Sequence, residues 1–251
     1  MSDAFRVRVF PSPVELARAA ADDAAAVLCR AVDARGAANA MFATGNSQLA
    51  FLDELMMRQV DWAKIAVFHM DEYVGVGADH PAGFGRYIRE HIADRAHPKA
   101  VNYVRGTGDP QAECERYAGL LQDHPLDLCC LGIGENGHLA FNDPPVADFD
   151  DPVDVKVVEL DVACRQQQVN EGHFSSIAGV PTHAITVTIP ALLRATRVFA
   201  IVPEARKAAP VAAALEGPVS TACPASVLRT CPYAVLYLDE ASASGLLEIE
   251  R

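Results

Sequence analysis

Short apolar runs alternate with longer amphipathic stretches along most of the chain. The apolar runs cover residues 5–10, 40–43, 65–68, 126–133, 184–189, 198–202 and 234–238, and their β-branched and aromatic content predicts strands. Stretches of helical character separate most of them, at 13–34, 48–60, 82–93, 111–122 and 204–216. Ser12 precedes the first of these with Pro13 behind it, the pattern of an N-cap followed by the first helical position. Strand–helix alternation of this kind implies parallel strands joined by crossover helices. The expected fold is therefore α/β: one domain, residues 1–251, a doubly wound, mostly parallel sheet with helices on both faces, in a modified Rossmann-like arrangement. No repeat, low-complexity tract or linker divides the chain, and the acidic stretch 148–154 reads as a surface loop or flap.

In that architecture ligands sit beyond the carboxyl ends of the strands, so the loops after them matter most. Thr44, Gly45, Asn46 and Ser47 follow one strand and open a helix, which suits an anion held by backbone N–H groups, though an ordinary capped helix start reads the same way. Asp71 and Glu72 follow the 65–68 run. Adjacent side chains on an extended backbone point oppositely, so one of the two faces the site. A partly desolvated carboxylate there would hold its proton to higher pH and act as a base; the alternative is a turn cap beside a solvated glutamate. The third loop runs Gly132-Ile133-Gly134-Glu135-Asn136-Gly137-His138-Leu139-Ala140-Phe141-Asn142-Asp143. Its glycines permit close backbone approach. An imidazole is the side chain that ordinarily titrates near neutrality, and Asp143 is near enough in sequence to orient the one on His138. A structural histidine is the other reading. No second His or Cys stands at ligand spacing, which argues against a metal half-site. Arg206 and Lys207 begin the last predicted helix, where the dipole disfavours cations unless an anion is near.

Composition narrows the partners. With 21 basic and 33 acidic residues the formal charge is −12, against a chain that coats nucleic acid or anionic membrane. A phosphate ligand would then need a local positive pocket. Seven cysteines without a C-x-x-C, two of them adjacent in the apolar 126–133 run, read as small hydrophobes of a reducing compartment. The first residues lack an apolar signal region and no apolar run is long enough to span a bilayer, so a cytoplasmic location is expected.

Over residues 5–242 the chain resembles the glucosamine-6-phosphate deaminase/isomerase family. The resemblance rests on ordered motifs: Phe68-His69-Met70-Asp71-Glu72-Tyr73-Val74-Gly75 with His80-Pro81, then Gly134 to Pro144, Val180 to Thr186, Arg206-Lys207-Ala208, and Leu215 to Val219. It implies an aldose–ketose isomerisation with deamination of an amino-sugar 6-phosphate and no cofactor. Asp71 would move a proton between C2 and C1. His138 would carry the proton that opens the pyranose ring, positioned by Asn136 and Asp143. Thr44, Gly45, Asn46, Ser47 and Lys207 would hold the phosphate, with Glu72, Gly137 and Arg165 also against the substrate. Three departures stand out. Asp143 replaces a common Glu and Asn46 a common Gly. The phosphate-contacting Arg expected before Phe174 is missing, leaving Arg165 and His173 as candidates to replace it. The main alternative is a 6-phosphogluconolactonase, whose related fold carries a similar glycine–histidine loop; Tyr73 and the segment after His138 favour the deaminase. A non-catalytic sugar-phosphate sensor is a third reading, with no helix-turn-helix segment to support it. Whether the chain forms a homo-oligomer is left open.

Overall fold

The computed structural model describes residues 5–247. The reading of residues 1–4 as free of a signal segment, and the outer ends of the 1–251 domain, lie outside the described residues. Ten strands and eight helices follow in the order β1 (Arg6–Phe10), α1 (Pro13–Arg35), β2 (Ala38–Phe42), α2 (Leu49–Met56), β3 (Ile65–His69), β4 (Asp71–Tyr73), α3 (Phe84–Ile88), α4 (Asp94–Ala96), β5 (Ala100–Asn102), α5 (Pro110–Asp123), β6 (Leu128–Leu131), β7 (Val155–Glu159), α6 (Val162–Asn170), β8 (His183–Val187), α7 (Ile189–Leu193), β9 (Arg197–Val202), α8 (Ala208–Glu216) and β10 (Ala234–Asp239). The predicted cap is present: Ser12 accepts a hydrogen bond from the Glu15 amide, and Pro13 opens α1.

Seven strands form one sheet in the order β1-β10-β9-β6-β2-β3-β5, and every pairing in it is parallel. Alternate strand residues feed two cores, as the pleat requires. Leu128 and Cys130 face the side covered by α1 and α2. Cys129 and Leu131 face the side covered by α5, α7 and α8. Both adjacent cysteines are fully buried, so each serves a different face as a small hydrophobe.

The 184–189 run is a strand, but it does not join this sheet. Instead β8 forms the middle of a separate three-stranded antiparallel sheet, between β4 and β7. The chain therefore changes sheets at Met70, between the last residue of β3 and the first of β4. The Met70 carbonyl accepts from the Val187 amide at 2.8 Å, and Asp71 pairs with Thr186. A third core of Tyr73, Phe141, Val158, Leu160, Cys164 and Val180 fills the space between this small sheet and α6.

The end of β4 is pinned from outside by a glycine. Gly106 accepts from the Gly75 amide at 2.6 Å, and a Cβ at position 106 would lie 2.3 Å from the Tyr73 carbonyl oxygen and 2.4 Å from that of Val76. Backbone cannot give way as a flexible side chain does. Gly106→Ala is expected to cost about 1–3 kcal/mol, as overpacking typically does. Chemical denaturation would check this, and an unchanged midpoint would contradict the tight approach.

Candidate active site

Among the described residues a cleft with about 820 Å³ of empty space, part of it open to solvent, lies beyond the carboxyl ends of β2, β3, β6 and β9. These are the four central strands. The chain runs outward from β2 through β3 to β5 and then returns to β6 on the other side of β2, the switch point at which open α/β sheets bind ligands.

One wall is the loop after β2. Thr44, Gly45, Asn46 and Ser47 all line the cleft. Gln48, buried behind them, donates to the Ile201 carbonyl at 3.0 Å and ties this loop to β9. The Tyr87 hydroxyl, another lining residue, donates to the Gly45 carbonyl at 2.9 Å. At the same end stands Lys207, only 3% exposed and lining the cleft. No carboxylate lies within ion-pair distance of it among the described residues. Burial, then the neighbouring Arg206 charge, lowers its pKa. An unpaired, mostly buried ammonium beside a loop of small polar residues is the local positive pocket that an acidic protein needs for an anion.

Asp71 lines the cleft and Glu72 does not. The alternation expected of an extended backbone decides this. Glu72 turns away, 3% exposed, and accepts from the amides of Tyr73 (3.0 Å), Phe84 (3.1 Å) and Gly85 (2.8 Å). Its expected place against the substrate is thus corrected: it anchors the 81–84 segment that forms the cleft wall. Asp71 is buried, with Oδ1 unpartnered. Burial, reinforced by the carboxylates of Glu72 and Asp143, holds its pKa well above the ordinary value.

His138 also lines the cleft, from the loop after β6. Its Nδ1 lies 2.7 Å from Asn136 Oδ1 and 2.9 Å from Asp143 Oδ1. Both oxygens accept, so Nδ1 carries the proton and Nε2 is left free. Asn136 also donates to Asp143 at 2.9 Å, closing a three-membered network. Burial raises the pKa of Asp143, but its bonds to His138 and Asn136 outweigh that and hold it below the usual carboxylate value. Asn142 locks the loop from beneath, donating to the Leu139 and Val187 carbonyls at 2.9 Å each. Gly132 and Gly134 line the cleft, and Gly134 also makes room for the imidazole. A Cβ there would fall 2.1–2.3 Å from three ring atoms of His138. Gly137 is not at the cleft; a Cβ there would meet Cys223.

Arg165 is the third correction. Its guanidinium donates to the Ile177 (2.7 Å) and Val180 (2.9 Å) carbonyls, folding the 171–180 segment, and it does not line the cleft. His173, the other candidate, does line it. Gln167, Gln168 and Glu171 of α6 line it as well and were not foreseen. The signal was available: the polar run 165–168 sits where a helix should bury something, and two of its glutamines are buried. Arg206 is not a solvated cation. It pairs with Glu171 (2.5 Å), Glu204 (2.6 Å) and Glu135 (3.5 Å).

The argument against a metal half-site also loses its premise, because the fold brings Cys164 to within 4.8 Å of His138 and Asp143. Those two already satisfy each other through hydrogen bonds, which favours a hydrogen-bonded relay.

A buried carboxylate, an imidazole–carboxylate couple and an ammonium around one cleft are the kinds of group that proton transfer on a small anionic ligand would use. The chain belongs to the family described as glucosamine-6-phosphate isomerases/6-phosphogluconolactonase, which it matches over residues 11–236. It is 35% identical to glucosamine-6-phosphate deaminase of Exiguobacterium sibiricum, across 80% of this chain and 79% of that one. It is 36% identical to the deaminase of Streptococcus pneumoniae serotype 4, across 74% and 78%. In structure it is similar to a monomeric glucosamine-6-phosphate deaminase, with a TM-score of 0.86 and 27% identity, covering 96% of this chain and 99% of that one. A 6-phosphogluconolactonase from Shewanella baltica shares the fold at a TM-score of 0.76 and 22% identity, across 94% and 97%.

Two expected outcomes follow from this geometry. Gly134→Ala drives the imidazole off its position and should lower turnover about 100-fold, the scale of a misplaced catalytic group, with an unchanged circular dichroism spectrum; wild-type turnover would refute the close packing. Burial raises the Glu72 pKa from 4.5 to about 7. The folded state therefore binds this proton more tightly than the unfolded chain. Relative to Glu72→Gln, the wild type should lose stability as pH rises from 4.5 to about 7, and the difference should level off above that. Parallel stability curves for the two proteins would contradict it.

Proposed function

We propose that this chain converts glucosamine 6-phosphate to fructose 6-phosphate with release of ammonia. The observation that carries the reading is that Asp71, His138, Lys207 and the 44–47 loop all line one cleft. A hexose phosphate laid across it has its anion at Lys207 and its C1–C2 end between the carboxyl and the imidazole. The similarity to deaminases at 35–36% identity supports the same assignment.

His138, with Nε2 free and Nδ1 held, exchanges the proton between the ring oxygen and the C1 hydroxyl, which opens the pyranose. Asp71 then takes the C2 proton and returns it to C1, turning the open-chain amino aldehyde into a ketimine by way of the enolamine. Water adds to the ketimine carbon, and nitrogen leaves as ammonia. The steps are proton transfers, one hydration, and acid-assisted cleavage of the ring C–O and the C–N bonds, for which positioned acids and bases suffice. Burial of Asp71 suits it to this work, since a base is most effective with a pKa near the operating pH.

His173 and Lys207 take the phosphate in place of the arginine that the resemblance led one to expect, with Arg206 occupied by its three glutamates. No described helix is long and apolar enough to cross a membrane. The seven free thiols suit a cytoplasmic location, and the similarity to glucosamine-6-phosphate deaminases supports a role in amino-sugar catabolism.

Ammonia release from glucosamine 6-phosphate tests the reading, with the N-acetylated sugar phosphate and 6-phosphogluconolactone as controls. Asp71→Asn should cut turnover by about 100-fold or more while sugar-phosphate binding stays within a few-fold. Ammonia release retained in that variant removes Asp71 as the base. Lactone hydrolysis by the wild type without ammonia release moves the chain to the other branch of its family.

A further inference from the structure

Cys164 has no part in the chemistry above, yet it is placed against its centre. It is a free thiol on α6, 1% exposed. Its Sγ, a ring nitrogen of His138 and a carboxylate oxygen of Asp143 all lie within 4.8 Å of one another. Asp143 is completely buried, and its two oxygens are treated unequally. Oδ1 takes both the Asn136 amide and the imidazole at 2.9 Å. Oδ2 is buried with no hydrogen-bond partner of normal geometry among the described residues. A buried carboxylate oxygen needs a donor, and the Cys164 thiol is a donor within 4.8 Å of the Asp143 carboxyl.

The position of Cys164 on its helix adds a second observation. Cys164, Gln167, Gln168 and Glu171 stand at i, i+3, i+4 and i+7, on one face of a helix. The last three line the cleft. One helix face thus touches the imidazole–carboxylate couple at one end and the cleft at the other.

We propose that Cys164 is a positioning residue for the His138–Asp143 couple, its S–H donating to Oδ2 of Asp143 and so fixing the carboxyl plane that keeps Oδ1 on the imidazole. The proposal takes the reaction to be the one proposed above, in which His138 opens the ring. Burial, and then the negative charge of Asp143, keeps the thiol protonated and therefore a donor. The same contact helps hold Asp143 ionised.

Cys164→Ala and Cys164→Ser in the full chain separate positioning from packing. Alanine removes the donor and serine keeps it in a smaller side chain. Turnover in Cys164→Ala should fall about tenfold, the factor carried by one hydrogen bond of ordinary strength. The acid limb of its pH profile should move to higher pH, because Asp143 holds a proton more readily without the thiol. Serine should restore both. A wild-type pH profile in Cys164→Ala, or serine no better than alanine, overturns the proposal. The His138 ring nitrogen shifts, titrated by NMR without substrate, give a readout independent of the reaction. Unchanged shifts in Cys164→Ala overturn the positioning role even if the activity assay succeeds. Altered shifts in a protein whose wild type releases no ammonia would sustain the positioning role and sink the assigned reaction.

Discussion

The site depends on a change of sheets within three residues. β3 ends at His69 in the parallel sheet, and β4 begins at Asp71 in the antiparallel one, with the Met70 carbonyl fastened to the Val187 amide between them. Extended backbone on both sides preserves the alternation of side chains, so the joint sends Asp71 to the cleft and Glu72 into the wall behind it. Shifting this register by one residue would exchange the two carboxyl groups. The same pairing of β4 with β8 brings Thr186 and Val187 under the His138 loop. There the Thr186 hydroxyl accepts from the Phe141 amide and the Val187 carbonyl accepts from Asn142. The Asp71 carboxyl and the His138 imidazole are therefore located by one backbone construction, not by two independent loops.

Burial then sets the chemistry. Three carboxylates lie close together, and their partners make them differ. Asp71 is dehydrated with one oxygen unpartnered and keeps its proton to higher pH. Asp143 is just as buried but hydrogen-bonded by Asn136 and His138, and stays ionised. Glu72 accepts three amides and still titrates near 7, so desolvation exceeds even that solvation by backbone. Environments that push the pKa values of neighbouring groups apart are what separate acid and base roles at one pH. The anion end obeys the same rule from the other side. Arg206, surrounded by glutamates, is spent on holding the end of α6 to the turn before α8, whereas Lys207 beside it has no carboxylate partner among the described residues.

Much of this was legible in the chain. Strand–helix alternation identified the doubly wound sheet, and the loops singled out after β2, β3 and β6 all reach the cleft. Asp71, His138, Thr44, Gly45, Asn46, Ser47 and Lys207 meet at one cleft, with Asn136 and Asp143 behind the imidazole. Glu72, Gly137 and Arg165 were misplaced for a common reason. Each is adjacent in sequence to something that faces the cleft, but each is used by the backbone around it. The antiparallel sheet was missed because β4 has only three residues, too short for periodicity to register, and because the sheet that β8 joins is set by partners distant in sequence.

What the sequence determined by itself is local: hydrophobic period, capping and turn chemistry depend on neighbours a few residues away, and these specified the elements and the loops that carry reactive groups. What only the tertiary structure decided is which of those groups share a space. His173 replaces Arg165 at the cleft, Arg206 is consumed by Glu171, and Cys164 reaches Asp143 from 21 residues further along the chain. Those outcomes rest on burial and on contacts between distant segments, and desolvation is a property of a packed place, not of any residue read alone.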